Sequence, residues 1–228
     1  MASPPRAGST MSPRVPDEIV MRQLLFNDVR DDAAWSDVAV SGAQLTAATA
    51  HGVAIVQSRF TNVSVSEARL TQLHASDVEF ISCNLSNMKA IDSSFRTVLF
   101  SQSKLTGLDV SNTKFTDVEF RDCRMDFTSF NKVKFRHVTF HGCQMHNSDF
   151  SETTLENIRF VECDLGRSML SRVSAKRSEM RRCKLTGLRG LKELRGIAME
   201  WTDILENAEV LAAELGIHIL TVSEASGD

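Results

Sequence analysis

The chain has 228 residues, is 42% hydrophobic and 24% charged, and carries a formal net charge of −3. That is enough for one large domain or a solenoid with an appendage, and so small a charge excludes both a committed polyanion binder and a strongly acidic protein. No apolar run approaches the roughly 18 residues that a membrane-spanning helix needs, so no membrane partner is expected.

Residues 1–16 hold all four prolines and no apolar core of a secretory leader. They read as a disordered tail, or as a mis-assigned start ahead of Met11. In residues 17–35, Ile19, Val20, Leu24, Leu25 and Phe26 precede Trp35 and are expected to cover the first turn of the repeat region, as a short helix or an irregular cap.

Residues 36–190 are governed by a five-residue period. From Leu45 to Leu185 all 29 positions ending in 5 or 0 are apolar, and neither a helix (period 3.6) nor a strand (period 2) explains that. Small or aliphatic residues stand two places before most of these centres, as at Ala48, Val53, Val63, Ala68, Val78, Val118 and Val138. A step of two keeps both side chains on one side of an extended segment, and the following step of three must turn a corner. Phe60, Phe80, Phe100, Phe120, Phe140 and Phe160 recur at steps of 20, and Cys83, Cys123, Cys143, Cys163 and Cys183 share one column with Ser103 in the gap. Four five-residue sides per turn explain both, giving roughly seven square coils stacked about 4.8 Å apart.

Segments such as DVEFRDCRMDFTSF and DSSFRTVLFSQSKL resemble the pentapeptide-repeat family. The resemblance implies an all-β solenoid: a right-handed quadrilateral β-helix, here with a short C-terminal α-helix and strand. One departure from the family pattern is that Val, Cys, Ser and Thr often replace the small Ala.

The cysteine column predicts buried, reduced thiols in a cytoplasmic protein rather than a zinc site, because parallel inward thiols do not converge on one point. His137, His141 and His146 fall on one coil without a recognisable carboxylate partner and read as surface. There is no G-x-S-x-G, H-E-x-x-H, phosphate-binding glycine loop or C-x-x-C. The expectation is a protein without catalytic, cofactor-binding or metal-ligating residues, and not an enzyme. Residues 171–190 hold seven basic side chains against Glu179. The 20-residue columns place Glu152 with Arg172, Glu156 with Lys176, Arg159 with Glu179, Glu162 with Arg182 and Asp164 with Lys184, and Lys132 and Arg136 continue two of these ladders. Ladders favour the stacking register and make nucleic-acid binding an unlikely use of the cluster. Arg177, Arg181 and Arg189 remain as the candidate basic surface.

Residues 191–228 form a separate, acidic module with a net charge of −6, against +4 for 36–190. Thr202 reads as an N-cap and Gly216 as the residue closing a helix. The apolar face of that helix is Ile204, Leu205, Ala208, Leu211, Ala212 and Leu215. A strand, Ile217 to Val222, comes next. The run LTGLRGLKELRGIAMEWTDILENAEVLAAELGIHIL resembles the C-terminal end of bacterial, especially actinobacterial, pentapeptide-repeat proteins. In mycobacterial fluoroquinolone-resistance members a similar helix and strand join two solenoids. The candidate dimer interface is therefore Leu205, Leu211, Leu215, Ile217, Ile219 and Leu220, with a monomeric cap as the alternative. The sequence is read first as a rigid protein-interaction scaffold with an unknown partner. The resemblance implies a second reading, a DNA-mimicking modulator or protector of DNA gyrase or topoisomerase IV against quinolones or toxins. The net-positive solenoid counts against that, since duplex DNA carries one negative charge per about 1.7 Å.

Overall fold

The computed structural model describes residues 8, 10–17 and 19–220. They form an all-parallel β-solenoid of about nine turns with a short helical region at its C-terminal end. The two turns beyond the roughly seven expected come from the end segments, which join the same ladder through Val20–Met21 at the front and Ala198–Met199 at the back.

The 20-residue column is the register of the sheet. Six eight-residue strands, Ala54–Thr61, His74–Ile81, Ser94–Ser101, Lys114–Arg121, Lys134–His141 and Thr154–Val161, pair side by side. Phe60, Phe80, Phe100, Phe120, Phe140 and Phe160 stand directly opposite one another along them. Each of these strands spans two sides of the square, the third (53–55 and its equivalents) and the fourth (58–60). The first side (43–45) and second side (48–50) are tied by bridges at the same spacing, such as Gln44 to Ser64 and Lys89 to Asp109. Among the described residues, every non-glycine residue with positive φ falls at a position ending in 2 or 7, with φ between 46° and 61°. The corner is therefore made by one left-handed residue in five, which accounts for the Asn, Asp and Gly in those columns.

All the five-step centres are buried except Val65 and Ala175, which are half-buried. The rings of the Phe60 column stack at 4.9–5.3 Å between centroids. A second stack, Phe95, Phe115 and Phe135, meets it edge-on, as at the 82° contact between Phe135 and Phe140. The cysteines are buried and unpaired. Each thiol donates to a carbonyl of the preceding coil and to one two residues back, as Cys83 does to Phe60 and Ile81 at 3.4 Å. Ser103 fills the gap with the same bonds, to Phe80 and Ser101. Burial pushes the Cys83 thiol up to about 11.

At the front, Leu24 is buried and Phe26–Asp28 forms a 3₁₀ turn, while Val20 and Leu25 face solvent. The cap is thus part strand and part irregular. Of the tail expected over 1–16, residues 1–7 and 9 lie outside the described residues. The rest has no regular structure, with the Arg14 N–H donating to Asp77 at 3.2 Å.

The C-terminal module departs from expectation in three ways. Instead of one helix from an N-cap at Thr202 there are two, α1 (Trp201–Glu206) and α2 (Ala208–Glu214), broken at Asn207. Gly216 does close the second helix: its φ is 70° and the N–H groups of Gly216 and Ile217 return to Ala213 and Ala212. The expected strand is absent over Ile217 to Leu220, because no described neighbour offers those residues a ladder; Thr221 and Val222 lie outside the described residues. Finally, the apolar face is not the buried one.

Candidate interaction surface

The last coil ends in backbone groups that an internal coil would satisfy with the next turn. In the preceding turn, Glu162, Leu165 and Leu170 donate to Arg181, Lys184 and Arg189. One turn later Ala198–Met199 continues the fourth side only; beside the first and second sides no strand is present, and the helices supply side-chain oxygens instead. Asp203 Oδ1 accepts from the Arg182 N–H at 2.7 Å, Asn207 Oδ1 from Leu185 at 3.0 Å, and Glu214 Oε1 from Gly190 at 2.8 Å. The Asn207 amide also donates to the Cys183 carbonyl at 3.1 Å and to Asp203 O at 2.8 Å. Asp203 and Asn207 are consequently 2% and 7% exposed, the reverse of what a helical polar face normally does. An exposed ladder edge is a costly ending for a solenoid, and it is sealed here by polar mimicry.

The helices dock by that polar face and by Val210 and Leu211, so most of their other large apolar side chains point out. Leu205, Leu215, Ile217, Ile219 and Leu220 are all more than half exposed, joined by Trp201 at 70%. Leu211 differs from the other candidate interface residues: it is half-buried and packs on the core beside Val210. Asp203 and Asn207 were not singled out in the sequence. Their signal is an Asp and an Asn four residues apart, opposite the apolar stripe and directly after the last repeat.

Among the described residues the basic coil pairs as many of its seven cations as the columns suggested, four, but not the same four: Arg177 and Arg181 replace Lys176 and Lys184. Arg172–Glu152 (2.6 Å), Arg182–Glu162 (2.8 Å) and Arg159–Glu179 (3.4 Å) form the expected ladders. Glu156, however, takes Arg177 at 2.6 Å rather than Lys176, because the arginine reaches across the corner. Arg181 contacts Glu179 and, at 3.4 Å, Glu200 of the C-terminal module. Only Arg189 of the candidate basic surface makes no ion pair among the described residues. Asp164 turns to His146 (3.1 Å), which Asp126 also contacts at 3.0 Å. His137 faces Asp117 at 3.4 Å and His141 faces Glu162 at 3.8 Å. The three histidines therefore do have carboxylate partners, two of them at the 20-residue spacing. Among the described residues no group of three or more His, Cys, Asp or Glu side chains gathers in a metal-sized cluster, and no helix is long and apolar enough to cross a membrane.

The sequence matches the family model described as the pentapeptide repeat region over residues 53–123 and 113–189. No curated protein matches it. Among solved structures it is similar to a trypsin-treated variant of QnrB1, a plasmid-mediated fluoroquinolone resistance protein, at 17% identity and a TM-score of 0.38, over 84% of this chain and 100% of that one. It is also similar to HetL, a pentapeptide repeat protein involved in heterocyst differentiation regulation from the cyanobacterium Nostoc sp. strain PCC 7120, at 13% identity and a TM-score of 0.31, over 73% and 87% of the two chains.

Proposed function

Because this chain belongs to the pentapeptide-repeat family, we propose that it is a non-enzymatic scaffold, a stiff rod that presents fixed surfaces to protein partners and pairs with a second copy through its C-terminal end. The observation that carries this reading is the inverted cap. Burying Asp203 and Asn207 leaves Trp201, Leu205, Leu215, Ile217, Ile219 and Leu220 exposed within residues 201–220, and a concentration of large exposed apolar side chains of that kind marks an interaction site. A second copy offers the same patch back, as a two-fold interface requires. Five unpaired, inward thiols suit a reducing, cytoplasmic setting. Sedimentation velocity at tens of micromolar tests the pairing. A dimer that Leu205→Glu with Leu215→Glu converts to monomer supports it, and a wild-type monomer overturns it.

The second reading, modulation of DNA gyrase or topoisomerase IV, is favoured by Asp109 and Asp149, which stand two turns apart across Ser129 in one column of the second side. Its test is a supercoiling assay: neither inhibition by micromolar protein nor rescue from ciprofloxacin removes it.

A further inference from the structure

The third side of the rod carries positive charge that no carboxylate among the described residues pairs with. Lys114 lies directly beside Lys134 in the parallel ladder, and Arg136 stands two residues on. Arg96 occupies the Arg136 column two turns earlier, across Thr116. Lys132 stands at the corner leading into the Lys134 strand. All five are exposed, and none makes an ion pair among the described residues.

The carboxylates bordering this side are engaged elsewhere. Glu152 pairs with Arg172 and Glu156 with Arg177, each at 2.6 Å, Asp117 faces His137, and Asp92 accepts from Asn112. The expected continuation of the ladders to Lys132 and Arg136 thus fails, because both glutamates turn toward the C-terminal coil. Like charges directly opposite one another in a ladder destabilise it, here at a rung spacing of about 4.8 Å. A second stacked pair, Lys104 and Arg124 on the first side, has Asp122 two residues from Arg124 to offset it. The third side has no such relief.

We propose that this basic face docks an acidic segment of a protein partner, which identifies the partner's chemistry within the scaffold reading and rests on it. The patch measures about 10 Å along the rod and about 13 Å along the strands, which suits a short peptide better than the long phosphate track of a duplex. The face is flat, and the exposed Phe127 and Trp201 lie away from it, so it offers no aromatic platform on which a nucleic-acid base could stack. Lys134 and Arg136 are spaced like alternate residues of any extended chain, about 6.8 Å apart. A segment with acid at every second position, laid along the strand, meets one cation with each.

Fluorescence anisotropy at low ionic strength tests this with a labelled peptide of alternating glutamate and serine. Wild type binds it, and Lys114→Glu with Lys134→Glu weakens binding by about tenfold or more. Lys104→Glu with Arg124→Glu, the same charge change on the first side, leaves it within about twofold. Both variants are surface changes, and unchanged thermal melting shows that they fold. No binding by wild type, or equal loss in both variants, overturns the proposal. So does a random-sequence DNA duplex that binds more tightly than the peptide and is lost in the Lys114/Lys134 variant, which would assign the face to nucleic acid. None of these results touches the C-terminal pairing, which sedimentation reads separately.

Discussion

Replacing Asn207 with leucine tests whether the cap works by imitating the next coil. Leucine keeps the branched shape and the number of heavy atoms, but it strips the Leu185 N–H of its acceptor and the Cys183 carbonyl of its donor. A buried backbone group left unpaired costs about 1–3 kcal/mol, so the two together cost about 2–6 kcal/mol. For a chain of this size 1 kcal/mol shifts the melting temperature by about 2–4 °C, which gives a fall of about 10 °C if the cap stays docked. If the cap instead detaches, the loss cannot exceed the energy that held it, and the effect is local: the Leu185 amide exchanges with solvent while the middle coils remain protected. Thermal melting and residue-resolved hydrogen exchange, at low micromolar protein, distinguish the two. Leu205→Ala is the control, because its side chain is 57% exposed and its loss changes the monomer by about 0.5 kcal/mol or less. An unchanged Leu185 exchange rate in Asn207→Leu would refute the mimicry argument, as would a fall in melting temperature no larger than the control's.

The corners and the core carry further predictions. Phe127 is a bulky aromatic held at φ 59° and 64% exposed, in the same column as Asn87 and Asn147; Phe127→Asn relieves left-handed strain and raises stability by about 1 kcal/mol, and a lower melting temperature would mean that the ring packs on something. The thiols are inert while the rod is folded, so iodoacetamide at mildly alkaline pH labels none of them until denaturant is added, and rapid native labelling would contradict their burial. The folded Cys83 pKa, about 11 against 9.0, also sets a pH dependence. The folded state holds the proton longer than the unfolded state, so this contribution is complete below pH 9 and is lost as pH rises toward 11. The slope is about 1.4 kcal/mol per pH unit, and Cys83→Ser flattens the decline.

How much the sequence revealed depends on what repeats. Phe60 to Phe160 and the cysteine column are buried in every turn, so burial writes a period into the sequence and the cross-section can be read from it. The corners are written there too: Asn62, Asn87, Asn112 and Asn147 all take the left-handed conformation that asparagine tolerates better than most. The Asp117–His137 and Asp126–His146 pairs lie in plain columns and are missed when the histidines are compared with each other rather than with the next turn. Glu156 could not be assigned from its column. An exposed glutamate chooses between Lys176 and Arg177 by reach, and the longer arginine crosses the corner to win. The cap escaped for a different reason. A helix after the last repeat has no periodic partner, and the usual rule sends its apolar stripe inward. Only the unpaired ladder edge reverses that preference, because Asp203 and Asn207 satisfy donors and acceptors that leucine cannot.

A stack in which each floor provides the hydrogen bonds of the floor above has no intrinsic height. Nothing in the repeat says when to stop, and two such stacks could continue one another end to end as readily as coil succeeds coil. At the C-terminal end, growth along the first and second sides is therefore stopped by three side chains, Asp203, Asn207 and Glu214, which accept the last coil's hydrogen bonds there without offering a new rung in return. They act as a chain terminator for growth along one dimension, and they separate a protein of fixed size from a filament.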